Sequence, residues 1–270
     1  GDERLWAGGK VTIDRSDFTA RGDSLRLETG KDGSGTLVRD QPKMRALGKD
    51  TFDLAGAQID FRLTEKSIEG VKARGDGHAV TKDLDLVADT IEIDLKDQKA
   101  EQTRAWGTEK RPLAVSETYE VRADSLAVDT PGQRLRQVRA FVKAWIGTEK
   151  DSASGERDWI AGDTVVADFA ERDSADAKVN RLVLLESRQE AKSFYRSTDK
   201  PKDPATPPKA PGLNYARADR IVVHMGDDDE GGVERVDLFG NVDGVQLDPA
   251  PAGKGNAPAA KPAVAPAVPQ

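Results

Sequence analysis

Apolar and polar residues alternate strictly in several short stretches of the chain, and residues 88–94 show the pattern most clearly. A small residue and an aspartate come first, and the run Thr90-Ile91-Glu92-Ile93 follows. A charged turn at 96–99 then leads into a second alternating run over 100–107. Alternation with a period of two is typical of a strand that buries one face. The stretch therefore predicts a β-hairpin.

The same pattern recurs along most of the chain. Each of six copies begins with a small residue, has an aspartate in second place in all but one copy, and continues with alternating apolar and polar residues. The second residue of each copy is at position 23, 57, 89, 124, 163 or 219. A second motif follows every copy after the first, and Ile68, Val71 and Ala73 are an example of its spacing. The extra residue in that spacing predicts a β-bulge at the start of each return strand. A repeat of roughly 20–50 residues indicates a solenoid or a stacked array.

The apolar residues of the repeats fall on one face of the predicted strands, because alternate side chains point to opposite sides of a sheet. Two such sheets would enclose a long apolar interior, which is either an open groove or a packed core. The candidate lining residues of this interior are Leu25, Leu27, Ile59, Phe61, Ile91, Ile93, Leu126, Val128, Val165, Ile221, Val223, Val236 and Leu238. The predicted fold class is all-β, an elongated stack of antiparallel hairpins with little or no helix.

The repeats span residues 1–249, which we expect to form a single domain. Five prolines between 197 and 212 predict a loop, because proline removes a hydrogen-bond donor from a strand. Residues 250–270 are rich in proline and alanine and are expected to be a disordered tail or a linker. The sequence has no apolar run of about 18 residues and no visible signal peptide, so we expect a mature protein or an excised fragment.

Composition excludes several classes of function. The formal net charge is −7, so the chain lacks the basic surface that nucleic-acid binding requires. Cysteine is absent, which excludes disulfides, thiolate catalysis and zinc–sulfur sites. Hydrophobic residues make up 37% and aromatic residues 5%, which fits a thin repetitive architecture with a narrow core.

Candidate catalytic and metal-binding residues have simpler structural interpretations. The repeated aspartates recur with the motif, which favours a role in turns or strand starts. The acidic run at 227–230 lacks the ligand spacing of a calcium loop and is typical of a solvated hairpin tip. His78 and His224 lie far apart without a nucleophile motif, and the four tryptophans suit core or edge packing or the mouth of a groove. We therefore expect no catalytic residue, no metal and no cofactor.

The two motifs together resemble the OstA/LptA family of lipopolysaccharide-transport proteins, which includes LptA, LptC and the N-terminal domain of LptD. The clearest match is Ala218-Asp219-Arg220-Ile221 followed by the run at 233–242, and the resemblance covers about residues 5–249. It implies a twisted β-jellyroll, or β-taco, whose apolar interior holds acyl chains. It also implies end-to-end stacking of such domains, with themselves or with related jellyrolls, between the inner and outer membranes.

The expected function is therefore non-enzymatic carriage of lipopolysaccharide or a related acyl-chain lipid in the periplasm. The chain is longer than the small members of the family, and it has the proline-rich insertion and tail. Two further possibilities are a relative that binds another lipid and the soluble part of a larger envelope protein. The alternative function is a structural β-solenoid with a filled core that recruits envelope partners through its edge strands. The volume of the interior separates the two hypotheses.

Overall fold

The described part of the chain folds into strands almost throughout. A computed structural model describes residues 4–29, 32–48, 51–64, 67–148, 155–173, 178–197, 211–226 and 232–248. Within these ranges the only helical element is a single 3-10 turn at Pro131–Gln133. The predicted all-β class is confirmed, and the arrangement is jellyroll-like. Most of the predicted loop at 197–212, the acidic run at 227–230 and the tail at 250–270 lie outside the described residues.

Eighteen strands form one continuous sheet, in which every described pairing is antiparallel. The strands are β1 Arg4–Asp14, β2 Phe18–Glu28, β3 Asp32–Val38, β4 Lys43–Ala46, β5 Asp53–Ala55, β6 Gln58–Thr64, β7 Ile68–Val80, β8 Asp85–Lys96, β9 Lys99–Trp106, β10 Leu113–Val115, β11 Tyr119–Arg122, β12 Ser125–Asp129, β13 Gln137–Thr148, β14 Trp159–Asp173, β15 Lys178–Ser197, β16 Gly212–Met225, β17 Val233–Phe239 and β18 Asp243–Leu247.

The sheet is folded into two facing walls, because its long strands pass through a corner and change wall. The first half of β2 pairs with β4, and its second half pairs with β3. Wall A contains segments 4–8, 24–28, 32–38, 58–64, 68–74, 90–96, 99–106, 125–129, 137–141, 164–173, 178–188, 220–225 and 233–239. Wall B contains segments 11–14, 18–21, 43–46, 53–55, 77–80, 85–88, 113–115, 119–122, 144–148, 159–162, 191–197, 212–218 and 243–247.

Pairs of residues with positive φ mark the corner on alternate strands. Examples are Val142 and Lys143 (φ 61° and 52°) and Gln189 and Glu190 (φ 58° and 54°). The strand register shifts at both places, as expected for a β-bulge that bends a strand. Left-handed backbone is uncommon for residues other than glycine. The bend between the two walls therefore places these non-glycine residues in a strained backbone conformation.

The repeated aspartates lie at this corner. Of the two predicted roles, in turns or at strand starts, the start of a strand is wrong for most copies, whereas Asp89 does stabilise a turn. Asp23, Asp89, Asp163 and Asp219 lie inside β2, β8, β14 and β16. The reason is that the strand does not start at the motif but arrives from wall B and continues. The alternating residues after each aspartate are the wall A half of a longer strand.

The predicted hairpin and most of the predicted bulges are confirmed. Strands β8 and β9 are joined by the two-residue turn Asp97-Gln98, whose φ values of 51° and 63° suit a type I′ turn. The pairing of β7, β9 and β17 skips one residue near the start of each strand, at Glu69, Glu101 and Glu234. In β15 the skipped residue is Val183, later than the motif spacing predicts, and β13 keeps a regular register with β12.

The facing surfaces of the two walls form one apolar core. The ring centroid of Phe18 in wall B lies 5.7 Å from that of Phe61 in wall A. Charged side chains cover the outer face of wall A in ladders, for example where Arg62 and Arg104 each lie 2.6 Å from a carboxylate oxygen of Asp94. These observations place the apolar stripes inside and the charge of wall A in solvent.

Candidate functional site

A cavity of about 730 Å³ lies between the walls at the C-terminal end of the stack. Wall A lines it with Leu182, Leu185, Val223, Met225 and Val236, and wall B with Ile146, Ile160, Ser193 and Tyr195, among others. Its volume lies in the range of about 300–1,000 Å³ that is usual for small-molecule sites, which are mostly apolar. The cavity is therefore large enough to hold an apolar ligand.

The side chains that wall B contributes to the core differ between the two ends of the stack. At the C-terminal end they include the small residues Ala191, Ser193, Ala216 and Ala218, of which Ser193 borders the cavity. At the N-terminal end the same wall carries Phe18, Met44 and Leu54, which are at most 2% exposed. Because folded interiors are close-packed wherever side chains can meet, small residues on one wall leave space against the other.

The N-terminal half of the interior is closed. Phe18 and Phe61 meet across it, and the free edges of the walls also touch. The backbone N–H of Ile68 in wall A donates to a carboxylate oxygen of Asp17 beside wall B at 2.9 Å. Gly48 and Gln98, which lie in turns of opposite walls, are also in close contact. The interior is thus filled by side chains and closed at its edges in the N-terminal half, whereas the C-terminal half contains the cavity.

The predicted lining residues occupy the interior, but few of them border the cavity. Nine of the thirteen belong to one buried core cluster, and Leu27, Val236 and Leu238 are partly buried and pack against it. Val128 is also buried. Only Val223 and Val236 of the predicted set line the cavity. Ile59 and Ile91 are fully buried in the closed half.

The sequence reasoning missed most residues that do border the cavity. Leu182 belongs to the second motif, but it is not among the predicted lining residues. Ile146 and Ile160 each follow a tryptophan in wall B. The tryptophans suit the mouth of a groove, and the residue that follows each of these two borders the cavity.

Polar residues also line part of the cavity, namely Tyr119, Thr148, Asp158, Ser193, Tyr195, Arg196, Ser197, Glu234 and Arg235. The hydroxyl of Ser193 is buried and has no hydrogen-bond partner among the described residues. Burial raises the pKa of the Tyr119 phenol, so this side chain is a neutral hydrogen-bonding group at neutral pH. Arg196 lies at the rim with its Nε 2.9 Å from Asp158. The arrangement suits binding of an apolar group with a few polar contacts at the edge.

The histidines and aspartates do not converge. His78 contacts Asp85 at 3.0 Å, and His224 contacts Asp237 at 3.0 Å, in different strand pairs. Among the described residues no three histidine, aspartate or glutamate side chains are grouped closely enough to hold a metal ion. Asp89 accepts hydrogen bonds from three successive backbone N–H groups at 108–110, which is a turn-stabilising role.

The tryptophans lie mainly on outer surfaces, where arginine or lysine covers three of them. Arg26 stacks over Trp6, Lys72 over Trp106, and two arginines over Trp145. Trp159 instead stacks on Phe194 with ring centroids 6.4 Å apart. Each contact between a cation and an exposed aromatic ring contributes about 0.5–1 kcal/mol.

Both ends of the stack present strand edges. Among the described residues β1 pairs only with β2, while β17 and β18 pair only with β16. Large apolar side chains are exposed on these strands, including Trp6 at 69% on β1 and Val245 at 57% on β18. Exposed edges with apolar side chains are the usual sites of pairing with another chain.

No protein-family model matches the chain, and comparisons with curated proteins and with solved structures also return no match. The likeness to the OstA/LptA family therefore stands on the sequence motifs alone. No helix in the described part of the chain is long and apolar enough to cross a membrane.

Proposed function

We propose that the protein is a non-enzymatic carrier of lipopolysaccharide or a related acyl-chain lipid in the periplasm, between the inner and outer membranes. The observation that carries the proposal is the apolar cavity between the walls at the C-terminal end. The motif resemblance supplies the lipid class and the compartment. The cavity supplies a place where acyl chains would leave water.

The energetics favour such a ligand. Each methylene that leaves water contributes about 0.8 kcal/mol. Binding of this kind needs shape and apolar lining more than a fixed polar constellation. The closed N-terminal half restricts the ligand to the C-terminal part of the interior, so the bound lipid lies between β13 and β17 rather than along the whole stack.

End-to-end contact would complete the transport role. Strand β1 carries Arg4, Lys10 and Asp14, with net charge +1, whereas β17 and β18 together carry Glu234, Arg235, Asp237 and Asp243, with net charge −2. Opposite charge at the two ends favours contact between the first edge of one jellyroll and the last edge of another. Both edges run from wall A to wall B, so such a junction between two copies would pair strands in parallel.

A second candidate is a scaffold that binds partners through the same edges and carries no lipid. The packed N-terminal half supports this alternative. It predicts that the purified chain retains no lipid, and that the edges account for all of its interactions.

Crosslinking in cells separates the two functions. A photo-crosslinking residue at Val236 or Val223 should label lipid in a Gram-negative host, while the same residue at the outward Glu92 should not. Mass spectrometry of the natively purified protein should find the same lipid. Absence of lipid at both cavity positions, together with protein-only adducts at β1 and β18, would overturn lipid carriage in favour of the scaffold.

A further inference from the structure

The outer face of wall B changes character along the stack, and its C-terminal part is apolar. Trp159, Phe194, Tyr215 and Val245 are directly opposed on β14, β15, β16 and β18, so they form one row across four strands. The neighbouring Ile160 and Ser193 are buried in the interior, so Trp159 and Phe194 point outward. Leu213 and Leu247 belong to the next row, in which Arg196 is directly opposed to Leu213 and pairs with Asp158 at 2.9 Å. We call the six apolar and aromatic residues of these two rows the outer patch.

The outer patch is unlike the other outer surfaces. Wall A is covered by ion ladders, and the N-terminal part of wall B carries the bidentate pair of Arg45 and Asp53, at 2.8 and 2.7 Å. In the outer patch Val245 and Leu247 are 57% and 51% exposed, and the three aromatic rings are half-buried against one another. Contiguous exposed apolar patches commonly mark sites of interaction with another protein or with a membrane.

Two cations border the outer patch on the side toward the corner. Lys192 and Arg217 are directly opposed and lie two residues from Phe194 and Tyr215 on the same face. Among the described residues neither has a salt bridge, whereas most arginines of the outer faces do. Asp243 is directly opposed to Arg217 on its other side, so the row of Lys192, Arg217 and Asp243 keeps a net charge of +1 in a chain whose net charge is −7.

We propose that the outer patch docks the protein on the surface of an anionic lipid bilayer. Tryptophan and tyrosine favour the boundary between headgroups and acyl chains, where their rings are apolar and their polar atoms stay hydrated. Lysine and arginine beside them attract anionic headgroups. Lysine is depleted from protein–protein interfaces, so Lys192 beside the patch favours a lipid surface over a protein partner.

The outer patch and the cavity lie on opposite faces of the same wall, because Trp159 and Phe194 alternate with Ile160 and Ser193, which line the cavity. Docking on a bilayer would therefore bring the wall that bounds the cavity to the lipid surface. The docking itself does not depend on lipid carriage. A protein that retains no lipid could still bind vesicles, and a carrier could fail to bind them.

Vesicle co-sedimentation of the full chain tests the proposal, with a charge-reversal pair and a matched control. Binding to phosphatidylcholine vesicles that contain phosphatidylglycerol should weaken by more than about tenfold in K192E/R217E, since each basic residue near such a surface contributes appreciably to binding. The control R21E/K43E reverses two cations that are likewise directly opposed on the outer face of wall B, at the other end. It should bind as the wild type does.

Tryptophan quenching locates the contact. Brominated phosphatidylglycerol should quench the fluorescence of the wild type, and Trp159→Phe should remove most of that quenching while Trp6→Phe leaves it unchanged. The proposal is overturned by absence of vesicle binding, by equal weakening in the two charge-reversal variants, or by quenching that survives Trp159→Phe. A soluble protein that binds this face, without vesicle binding, would also overturn it.

Discussion

The buried carboxylate of Asp17 accepts the backbone N–H of Ile68 at 2.9 Å and joins the free edges of the two walls. Asp17 is 2% exposed and also accepts from Arg15 Nε at 3.0 Å. The two residues are 51 positions apart in the chain and belong to opposite walls. This bond makes the N-terminal half a closed structure, in contrast to the hollow C-terminal half.

Removing the Asp17 carboxylate should destabilise the protein. Asp17→Ala leaves the Ile68 N–H buried without a partner, and loss of a hydrogen bond to a charged group costs about 1.5–3 kcal/mol. Urea unfolding should show a reduced midpoint, and hydrogen exchange at Ile68 should become faster. Asp14→Ala, at an exposed position of β1, is the control and should change stability by less than about 0.5 kcal/mol. Equal urea midpoints for the two variants would contradict the conclusion that Asp17 holds the free edges of the two walls together.

Gly35 makes room for the ring that fills the closed half. It lies directly opposite Phe61, and a Cβ at this position would overlap the ring. Gly35→Ala should therefore push Phe61 away from Phe18 and cost about 1–3 kcal/mol, as for other overpacked cores. Gly8→Ala is the control, because the nearest atom to its Cβ is Ser24 Oγ at 4.0 Å. Calorimetry should show a lower melting temperature for Gly35→Ala only, and adding Phe61→Leu should restore part of the loss.

The sequence was sufficient to predict wall A but not wall B. The wall A halves of β6 to β9 alternate over seven or more residues, which is long enough for the period to be visible. Wall B uses segments as short as Asp53–Ala55 and Leu113–Val115, in which alternation has no length to show. The corners were hidden because residues such as Val142 and Lys143 adopt positive φ without the usual glycine signal.

The cavity could not be predicted for a different reason. Its volume depends on which side chains of wall A face which side chains of wall B, and that relation joins residues far apart in sequence. A small residue such as Ser193 looks like an ordinary alternating strand position. Only the facing of the two walls shows that it borders the same cavity as Leu185 and Val236.

Asp89 should contribute to stability although it is a surface residue. Its carboxylate accepts from the N–H groups of Thr108, Glu109 and Lys110 at 2.8 to 3.0 Å. Asp89→Ala removes these bonds and should lower the free energy of unfolding by about 1–3 kcal/mol. Asp23 is the matched control, because it has the same position in the repeat but, among the described residues, its side chain bonds to the adjacent Ser24 hydroxyl alone, at 3.1 Å. If urea unfolding shows that Asp89→Ala loses no more stability than Asp23→Ala, the turn at 108–110 does not depend on Asp89.

Glu186 should make stability depend on pH in the acidic range. Hydrogen bonds from Arg188 lower the pKa of this carboxyl, against the opposing effect of burial, and Arg220 adds to the lowering. A lowered pKa in the folded state means that the stabilisation is present above the unfolded value of about 4.3 and is lost as pH falls through the folded pKa. Arg188 and Arg220 are 57% and 48% exposed, so solvent screens the pairing and the effect should not exceed about 1 kcal/mol.

The measurement is urea unfolding of wild type and Glu186→Gln between neutral pH and pH 3. The two proteins should differ most at neutral pH, and the difference should shrink as the wild-type carboxyl becomes protonated. Glu117→Gln, in an exposed turn, is the control for loss of one negative charge. A difference that stays constant down to pH 3 would mean that the glutamine changes packing rather than the ion pairs. The charge ladder of wall A at β15 and β16 would then contribute nothing measurable to stability.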